Sequence, residues 1–233
     1  MPEEINRLLT DRISSLLFTP SRDGDENLRA EGIEAPKIHF VGNVMIDTLV
    51  KMLPRAEQSS ALARFNLERR RFVLVTLHRP ANVDDPNVLR EIVAALYDIG
   101  ARCPVVFPVH PRTRARAGQL DLIASDARVQ WIEPLGYLDF LALMRQSAAV
   151  ITDSGGVQEE TTFLGVPCLT VRPNTERPIT IEIGTNQLVR AERDAIGRAC
   201  DDVLMQTRRA ARVPEKWDGH AAERIVDVMR SVP

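Results

Sequence analysis

From Phe72 onward, short apolar segments alternate with amphipathic helical segments, and this alternation restricts the possible folds more than any other feature of the sequence. The apolar segments are short and rich in β-branched residues, which is typical of strands buried on both faces. They are residues 72–77, 105–109, 129–132, 149–152 and 167–171. The predicted helices are 86–100, 113–125, 138–146 and 157–164, the last ending at Gly165. We therefore predict an α/β fold with a Rossmann-like doubly wound parallel sheet.

The residues before and after this core are less regular. The chain opens with a predicted helix, 2–14, in which Ile5, Leu8, Leu9 and Ile13 recur at helical spacing. Two further strands, 15–19 and 38–41, are predicted with helices at 26–31, 44–53, 193–207 and 220–231. The polar segment 54–60 begins with proline and predicts a linker. We expect one region at 1–53 and a second at 54–233.

The composition excludes several classes of protein. The formal charge of −2 gives no general attraction to nucleic acid or to an anionic membrane, so we predict neither partner. Three widely spaced cysteines suggest neither a disulfide framework nor a zinc site and fit a reducing compartment. No apolar run approaches the roughly 20 residues that span a bilayer. We predict a soluble, cytoplasmic protein.

Basic and hydrogen-bonding residues are concentrated directly after the predicted strands. In a doubly wound sheet, ligands bind beyond the carboxyl ends of the strands, so these positions are candidates for a site. They are His78, Arg79, His110, Arg112, Asp153, Ser154, Gly155, Gly156, Arg172, Thr175, Glu176 and Arg177. A local cationic cleft in a protein of negative net charge predicts a phosphorylated ligand.

Residues 153–160 (DSGGVQEE) predict a glycine turn that opens a helix and holds the diphosphate of a nucleotide. The glycines let the backbone approach a phosphate, and the free N–H groups of the following helix point at it. Ser154 adds a hydroxyl donor, and the carboxylate of Glu160 is suited to accept both hydroxyls of a ribose. The alternative is a plain tight turn in which Ser154 caps the helix. Its place after a strand and among cationic loops favours the nucleotide.

Other polar residues permit a functional and a structural interpretation. His78 is suited to face the cleft as a proton donor or phosphate ligand, or else to bond to the backbone. His110, between valine and proline, fits a positioning role as well as a chemical one. The planar fork of Arg177 suits a phosphate, whereas Arg172 is interpreted as surface charge. Glu3, taken alone, indicates only favourable placement at a helix amino terminus.

Six segments, in the same order, resemble motifs of the non-hydrolysing UDP-N-acetylglucosamine 2-epimerases. They are PEEINR (2–7), VGNVMIDTL (41–49), TLHRPANVDD (76–85), PVHPRT (108–113), TDSGGVQEE (152–160) and NTERPIT (174–180). The similarity extends to LGVP (164–167) and GTNQLV (184–189), so it covers nearly the whole chain.

The resemblance implies a two-lobed fold like that of the B-type glycosyltransferases (GT-B), with the substrate between two Rossmann-like lobes. Members of this family interconvert UDP-N-acetylglucosamine and UDP-N-acetylmannosamine. The proton on C2 is removed, UDP leaves by anti elimination, and re-addition gives the opposite configuration at C2. The resemblance implies no cofactor, nicotinamide or metal, and it implies a homodimer that serves the biosynthesis of cell-envelope polysaccharides.

The resemblance also implies roles for individual residues. Ser154, Gly155 and Gly156 match the family's diphosphate contacts. Glu160 matches its ribose contact, and Arg177 matches a further ligand of UDP.

Four further positions concern uracil binding and the chemistry of the family, and the two uracil positions match the family's motifs less closely. Leu135 and Phe140 fall where the family holds uracil. His78 matches an active-site histidine that suits assistance to the departing UDP. Glu3 matches an active-site carboxylate, so the resemblance makes it a candidate acid/base group.

Most of the family's amino-terminal lobe, with its Gly-Thr-Arg-Pro-Glu and His-Val-Glu-Ala-Gly segments, has no counterpart in this sequence. We therefore expect 1–53 to be a remnant of that lobe, with Leu8, Leu9, Leu16 and Leu17 lacking cover, and 54–233 to be the UDP-binding lobe. We predict that the chain binds UDP and epimerises poorly or not at all alone. A GT-B glycosyltransferase, which needs an acceptor pocket, and a non-catalytic UDP-sugar-binding module remain the alternatives.

Overall fold

The computed structural model of the protein describes residues 2–124, 128–205 and 212–231. Its strands are β1 (Leu17–Thr19), β2 (Ile38–Phe40), β3 (Val73–Thr76), β4 (Val105–Pro108), β5 (Val129–Ile132), β6 (Ala149–Thr152), β7 (Cys168–Val171) and β8 (Asn186–Val189). Its α-helices are α1 (Pro2–Ile13), α2 (Arg22–Ala30), α3 (Val44–Ala56), α4 (Ala61–Arg64), α5 (Pro80–Val83), α6 (Pro86–Gly100), α7 (Pro111–Gln119), α8 (Tyr137–Gln146), α9 (Gly155–Leu164), α10 (Ile179–Glu182), α11 (Arg193–Met205) and α12 (Ala221–Ser231), and a 3₁₀ turn covers Ala35–Lys37. None of the helices in these ranges combines the length and the apolarity needed to cross a bilayer.

The chain forms two compact units, and the closing segment falls in a different unit from the predicted one. Unit 1 comprises 1–51 and 214–233, and unit 2 comprises 52–213. The segment after 213 belongs to unit 1 because Trp217, only 2% exposed, donates its indole N–H to the carbonyl of Pro20 at 2.9 Å. The carboxylate of Asp47 also accepts from the backbone N–H groups that begin α12. Such long-range pairing cannot be inferred from the local pattern of 214–233.

Unit 1 contains a small parallel sheet with its own apolar core. β1 pairs with β2, with Leu17 opposite Ile38. Leu17, Leu28 and Ile38 are buried together, so the expectation that Leu17 lacks cover is wrong. Leu8 and Leu9 on α1 are 43% and 61% exposed, as expected for a face without cover in this chain.

Unit 2 contains a six-stranded sheet in the order β5-β4-β3-β6-β7-β8, with every neighbouring pair parallel. Val73, Leu74 and Val75 of the central strand are all 0% exposed, so both faces of the sheet are covered. The prediction of a Rossmann-like doubly wound α/β fold is therefore confirmed. Beyond the predicted strands the sheet includes β8, which the sequence analysis missed because Asn-Gln-Leu-Val is not an apolar run.

The ends of two helices follow from their terminal residues. α6 has the predicted bounds, because Asp85 accepts from the N–H groups of Asn87 and Val88 and Pro86 suits the first helical position. α9 ends at Gly165, which adopts a left-handed conformation with φ of +64°. At its other end, α9 begins at Gly155 rather than at 157, so the glycines form the first turn of the helix itself.

Candidate functional site

The order in which strands are added to the sheet of unit 2 reverses between β3 and β6. The chain runs outward from β3 to β4 and β5 on one side, and β6 then starts on the other side of β3. In doubly wound sheets, this switch point opens a crevice at the carboxyl ends of the two strands. Because Thr76 pairs with Thr152, the loops that begin at Leu77 and Asp153 leave the sheet side by side.

The carboxylate of Asp153 joins these two loops. The side chain is 0% exposed and accepts from the backbone N–H groups of His78, at 3.1 Å, and Arg79, at 2.9 Å. It also accepts from Nδ2 of Asn82 at 3.0 Å. The Nδ1 atom of His78 lies 3.1 Å from Asp153 Oδ1. Because this contact occupies Nδ1, the Nε2 atom of the half-exposed His78 ring is left for a ligand.

Ser154, Gly155 and Gly156, here called the glycine turn, begin α9 directly after Asp153. Ser154 occupies the N-cap position, but its hydroxyl makes no capping hydrogen bond, so capping does not account for this side chain. All three residues are partly exposed. The first N–H groups of a helix lack intrahelical partners and carry a partial positive charge, so this turn suits an anion.

Arg177 lies beside the glycine turn. A Cβ atom added at Gly155 would stand 3.5 Å from Cζ of Arg177. The Nε atom of Arg177 lies 3.1 Å from Oε1 of the buried Glu159, without the alignment of a hydrogen bond. The guanidinium is therefore held next to the turn by an ion pair while it retains N–H groups for a further anion.

Arg172 is not surface charge, contrary to the interpretation of the sequence. Its side chain, at the point where the chain leaves the buried strand β7, is 8% exposed. Its Nη2 donates to Oε1 of Glu176 at 2.8 Å, and this hydrogen bond lowers the pKa of Glu176.

Glu160 lies within the first two turns of α9 and is almost fully buried, with 5% of its surface exposed. Burial raises the pKa of the Glu160 carboxyl above its ordinary value, although the hydroxyl of Tyr137 donates to Oε1 at 2.8 Å and opposes this shift. Burial and the neighbouring Glu160 charge raise the pKa of Tyr137 in turn. Glu160 is thus a carboxylate with one occupied oxygen beside a half-exposed tyrosine.

One cavity of about 210 Å³ brings together four of the candidate residues, His78, His110, Leu135 and Phe140. Its other lining residues are Thr76, Leu77, Pro108 and Pro134. This volume lies below the roughly 300–1,000 Å³ of pockets that enclose a whole ligand, so the cavity suits one ring of a nucleotide. The ring of His110 also accepts from the backbone N–H of Arg112 at 3.3 Å and caps α7.

Glu3 is not joined to this site by any contact that can be described. It lies in the first turn of α1, and its side chain is outside the part of the chain that the structure describes. Within 2–124, 128–205 and 212–231, no three His, Cys, Asp or Glu side chains are grouped so that they could hold a metal ion.

The sequence analysis missed Tyr137 and gave Asp153 no role of its own. Asp153 belonged to the predicted turn without a role of its own, although a carboxylate directly after a fully buried strand is a signal of a buried acceptor. Tyr137 reaches Glu160 across 23 residues of chain, and no local pattern indicates that contact.

Comparison with known proteins places the chain beside epimerases of nucleotide sugars. The family model described as UDP-N-acetylglucosamine 2-epimerase matches residues 1–230. A UDP-N-acetylglucosamine 2-epimerase of Methanocaldococcus jannaschii is 41% identical over 237 residues, which cover 98% of this chain and 64% of that protein. A UDP-2,3-diacetamido-2,3-dideoxy-D-glucuronate 2-epimerase of Pseudomonas aeruginosa is 46% identical over 210 residues, covering 89% of this chain and 57% of that one.

A solved structure shows the same relationship. The crystal structure of the M. jannaschii UDP-GlcNAc 2-epimerase in complex with UDP-GlcNAc and UDP superposes with a TM-score of 0.88 at 41% identity. The match covers 100% of this chain and 65% of that chain. The protein therefore spans 57% to 65% of the length of these relatives.

Proposed function

The chain belongs to the UDP-N-acetylglucosamine 2-epimerase family, and on this premise we propose that its candidate site binds the UDP group of a UDP-linked 2-acetamido sugar for epimerisation at C2. The observation that carries the proposal is the grouping of three features at one switch point of the sheet. An uncapped glycine turn begins a helix, an arginine lies beside it, and a buried carboxylate follows on the same helix.

Each part of UDP has a matching set of groups in this proposal. The amides of Gly155 and Gly156, the Ser154 hydroxyl and the Arg177 guanidinium bind the diphosphate. Glu160 accepts hydrogen bonds from the ribose hydroxyls.

The uracil and the leaving oxygen are assigned to the neighbouring cavity and its rim. Leu135 and Phe140 supply apolar surface for the ring. His78, oriented by Asp153, donates from Nε2 to the β-phosphate as UDP departs, which stabilises the developing charge.

The chemistry at C2 needs a base on one face of the sugar and an acid on the other. We propose Glu3 as one of these groups, since it matches the family's carboxylate. The remaining groups are proposed to come from the part of the relatives that this chain does not match. In this proposal, 1–51 is a remnant of the amino-terminal lobe, and its sheet has two strands. The 233-residue polypeptide is therefore proposed to bind UDP and to epimerise poorly by itself.

The relative from P. aeruginosa favours a second candidate within the same class of reaction. It is 46% identical, and its name specifies a sugar with a second acetamido group and a uronate carboxylate. Both named substrates contain UDP and a 2-acetamido group, so the proposed substrate class is defined by these two shared groups. Protection of the protein against heat by each of the two UDP-sugars distinguishes them.

The test is to titrate the purified 233-residue polypeptide with UDP, UMP and ADP, and then to incubate it with UDP-N-acetylglucosamine in deuterated water. We expect UDP to bind more tightly than UMP, because UMP lacks the second phosphate, and more tightly than ADP, because the cavity is assigned to a single pyrimidine ring. We expect little deuterium at C2. Equal affinity for ADP and UDP would refute the assignment of the uracil cavity, and rapid exchange at C2 would refute the need for further groups.

A further inference from the structure

A buried polar network connects the glycine turn to the loop that carries Arg177. At its centre is Gln158 of α9, whose side chain is 0% exposed. Its Nε2 donates to the carbonyl of Ser154 at 3.2 Å. Its Oε1 accepts from the hydroxyl of Thr175 at 2.6 Å and from Nδ2 of Asn186 at 3.1 Å. One amide side chain thus contacts the first turn of α9, the loop after β7 and the start of β8.

The hydroxyl of Thr175 connects Gln158 to the backbone of Arg177. The same hydroxyl oxygen that donates to Gln158 accepts from the backbone N–H of Arg177 at 3.0 Å. The hydroxyl of Thr180 donates to the carbonyl of Arg177 at 2.7 Å, so both backbone groups of this residue are held. The held backbone fixes the point from which the side chain extends, and the ion pair with Glu159 restrains the guanidinium, which together reduce the entropy lost when it binds an anion.

The location of the network explains why its effect concerns the diphosphate and not the nucleoside. The guanidinium carbon of Arg177 lies 3.5 Å from the point that a Cβ atom on Gly155 would occupy, whereas the uracil cavity is lined by residues of other loops. A shift of the loop would therefore move the guanidinium away from the glycine turn and leave the cavity unchanged.

We propose that Thr175 and Gln158 are positioning residues that hold Arg177 against the glycine turn and so set the affinity for the diphosphate of the ligand. The identification of that ligand as UDP rests on the proposed function. The network itself needs no ligand, so its effect on the loop is measurable in the free protein.

The test compares Thr175→Val with Thr175→Ser and with Thr185→Val as a matched control. Thr185 also donates one hydrogen bond to a backbone carbonyl at 2.6 Å, but its acceptor, Val166, lies outside the loop that carries Arg177. We expect Thr175→Val to weaken UDP binding about 5- to 10-fold and to leave uridine binding unchanged. Thr175→Ser retains the hydroxyl and restores UDP binding, and Thr185→Val leaves it unchanged.

Two further measurements distinguish positioning from general damage. In an Arg177→Ala background, Thr175→Val is expected to cause no additional loss of UDP affinity, because the group that it positions is gone. In the free protein, Thr175→Val is expected to accelerate hydrogen exchange at the amide of Arg177, and Thr185→Val is not.

Several outcomes would overturn the inference. They are equal losses of UDP and uridine affinity, an undiminished effect in the Arg177→Ala background, or unchanged exchange at Arg177 in Thr175→Val. Failure of the wild-type protein to bind UDP while Thr175→Val still accelerates this exchange would instead refute the proposed function and retain the positioning of the loop.

Discussion

Replacement of Asp153 by alanine is expected to lower the free energy of unfolding by about 3–5 kcal/mol, since each buried donor left without an acceptor costs roughly 1–3 kcal/mol. The backbone N–H groups of His78 and Arg79 lose their side-chain acceptor in this variant, and the amide of Asn82 keeps only its hydrogen bond to the carbonyl of Val171. The carboxylate is 0% exposed, so water does not replace it without rearrangement of the two loops.

Asp153→Asn is expected to be destabilising as well, although it preserves the shape of the side chain. An asparagine retains one acceptor oxygen but presents an amide donor where the loops supply only donors. The comparison therefore separates the loss of volume from the loss of acceptors.

Chemical denaturation followed by circular dichroism measures these differences, with Asp98→Ala as the control. Asp98 forms an exposed ion pair with Arg193 at 2.6 Å, and removal of such a pair changes stability by no more than about 1 kcal/mol. A loss in Asp153→Ala as small as that in Asp98→Ala would show that Asp153 does not hold the two loops together.

Replacement of Glu160 by glutamine is expected to weaken the binding of UDP and of uridine roughly 10- to 100-fold, because a hydrogen bond to a charged acceptor contributes about 1.5–3 kcal/mol. The fold should tolerate the change. Glutamine removes a buried charge and still offers an oxygen to the hydroxyl of Tyr137. Affinity and stability are therefore expected to move in opposite directions.

The raised pKa of Glu160 gives this prediction a dependence on pH. Burial favours the protonated carboxyl in the folded state, so the stability that comes from protonation is present in acid and is lost as pH rises through the folded pKa. Glu160→Gln should accordingly exceed the wild type in stability at neutral pH, and the difference should shrink in acid. Uridine binding needs the ionised carboxylate of Glu160, so the affinity of the wild-type protein for uridine should fall in acid.

Calorimetry with uridine, which lacks a titrating phosphate, measures the binding. The control is Glu57→Gln, since Glu57 is an exposed partner of Arg145. We expect the affinity of Glu160→Gln for uridine to be independent of pH over the range in which that of the wild type changes. Wild-type affinity in Glu160→Gln would contradict the role of this carboxylate at the ribose.

The sequence was sufficient to predict those parts of the fold that local patterns determine. Ala149–Thr152, an apolar run buried on both faces of the parallel sheet, forms a strand with the predicted bounds. Val129–Ile132 does so as well, as the partly buried strand at one edge of the sheet. Gly165 ends α9 as predicted, since a left-handed C-cap favours glycine. By contrast, β8 is polar enough to be taken for a loop and becomes a strand through its pairing with β7.

The contacts of the site depend on residues distant in the chain, and these were not predictable. Asp153 accepts from groups 71 to 75 positions away, which meet it only because β3 and β6 are neighbours in the sheet. Arg172 resembled surface charge because nothing in its local sequence shows that its side chain is covered by the surrounding structure. The residue types therefore indicated which chemistry the site contains, whereas the topology of the sheet determines which hydrogen-bond partners meet.

The most direct test of the proposed UDP site is a titration of the ¹⁵N-labelled protein with UDP, followed through the backbone amide resonances of Gly155 and Gly156. We expect UDP to shift both resonances saturably, and uridine at saturation to leave them nearly unchanged, because the glycine turn contacts the diphosphate alone. UDP binding that leaves these two amides unperturbed, or that perturbs them no more than uridine does, would contradict the account.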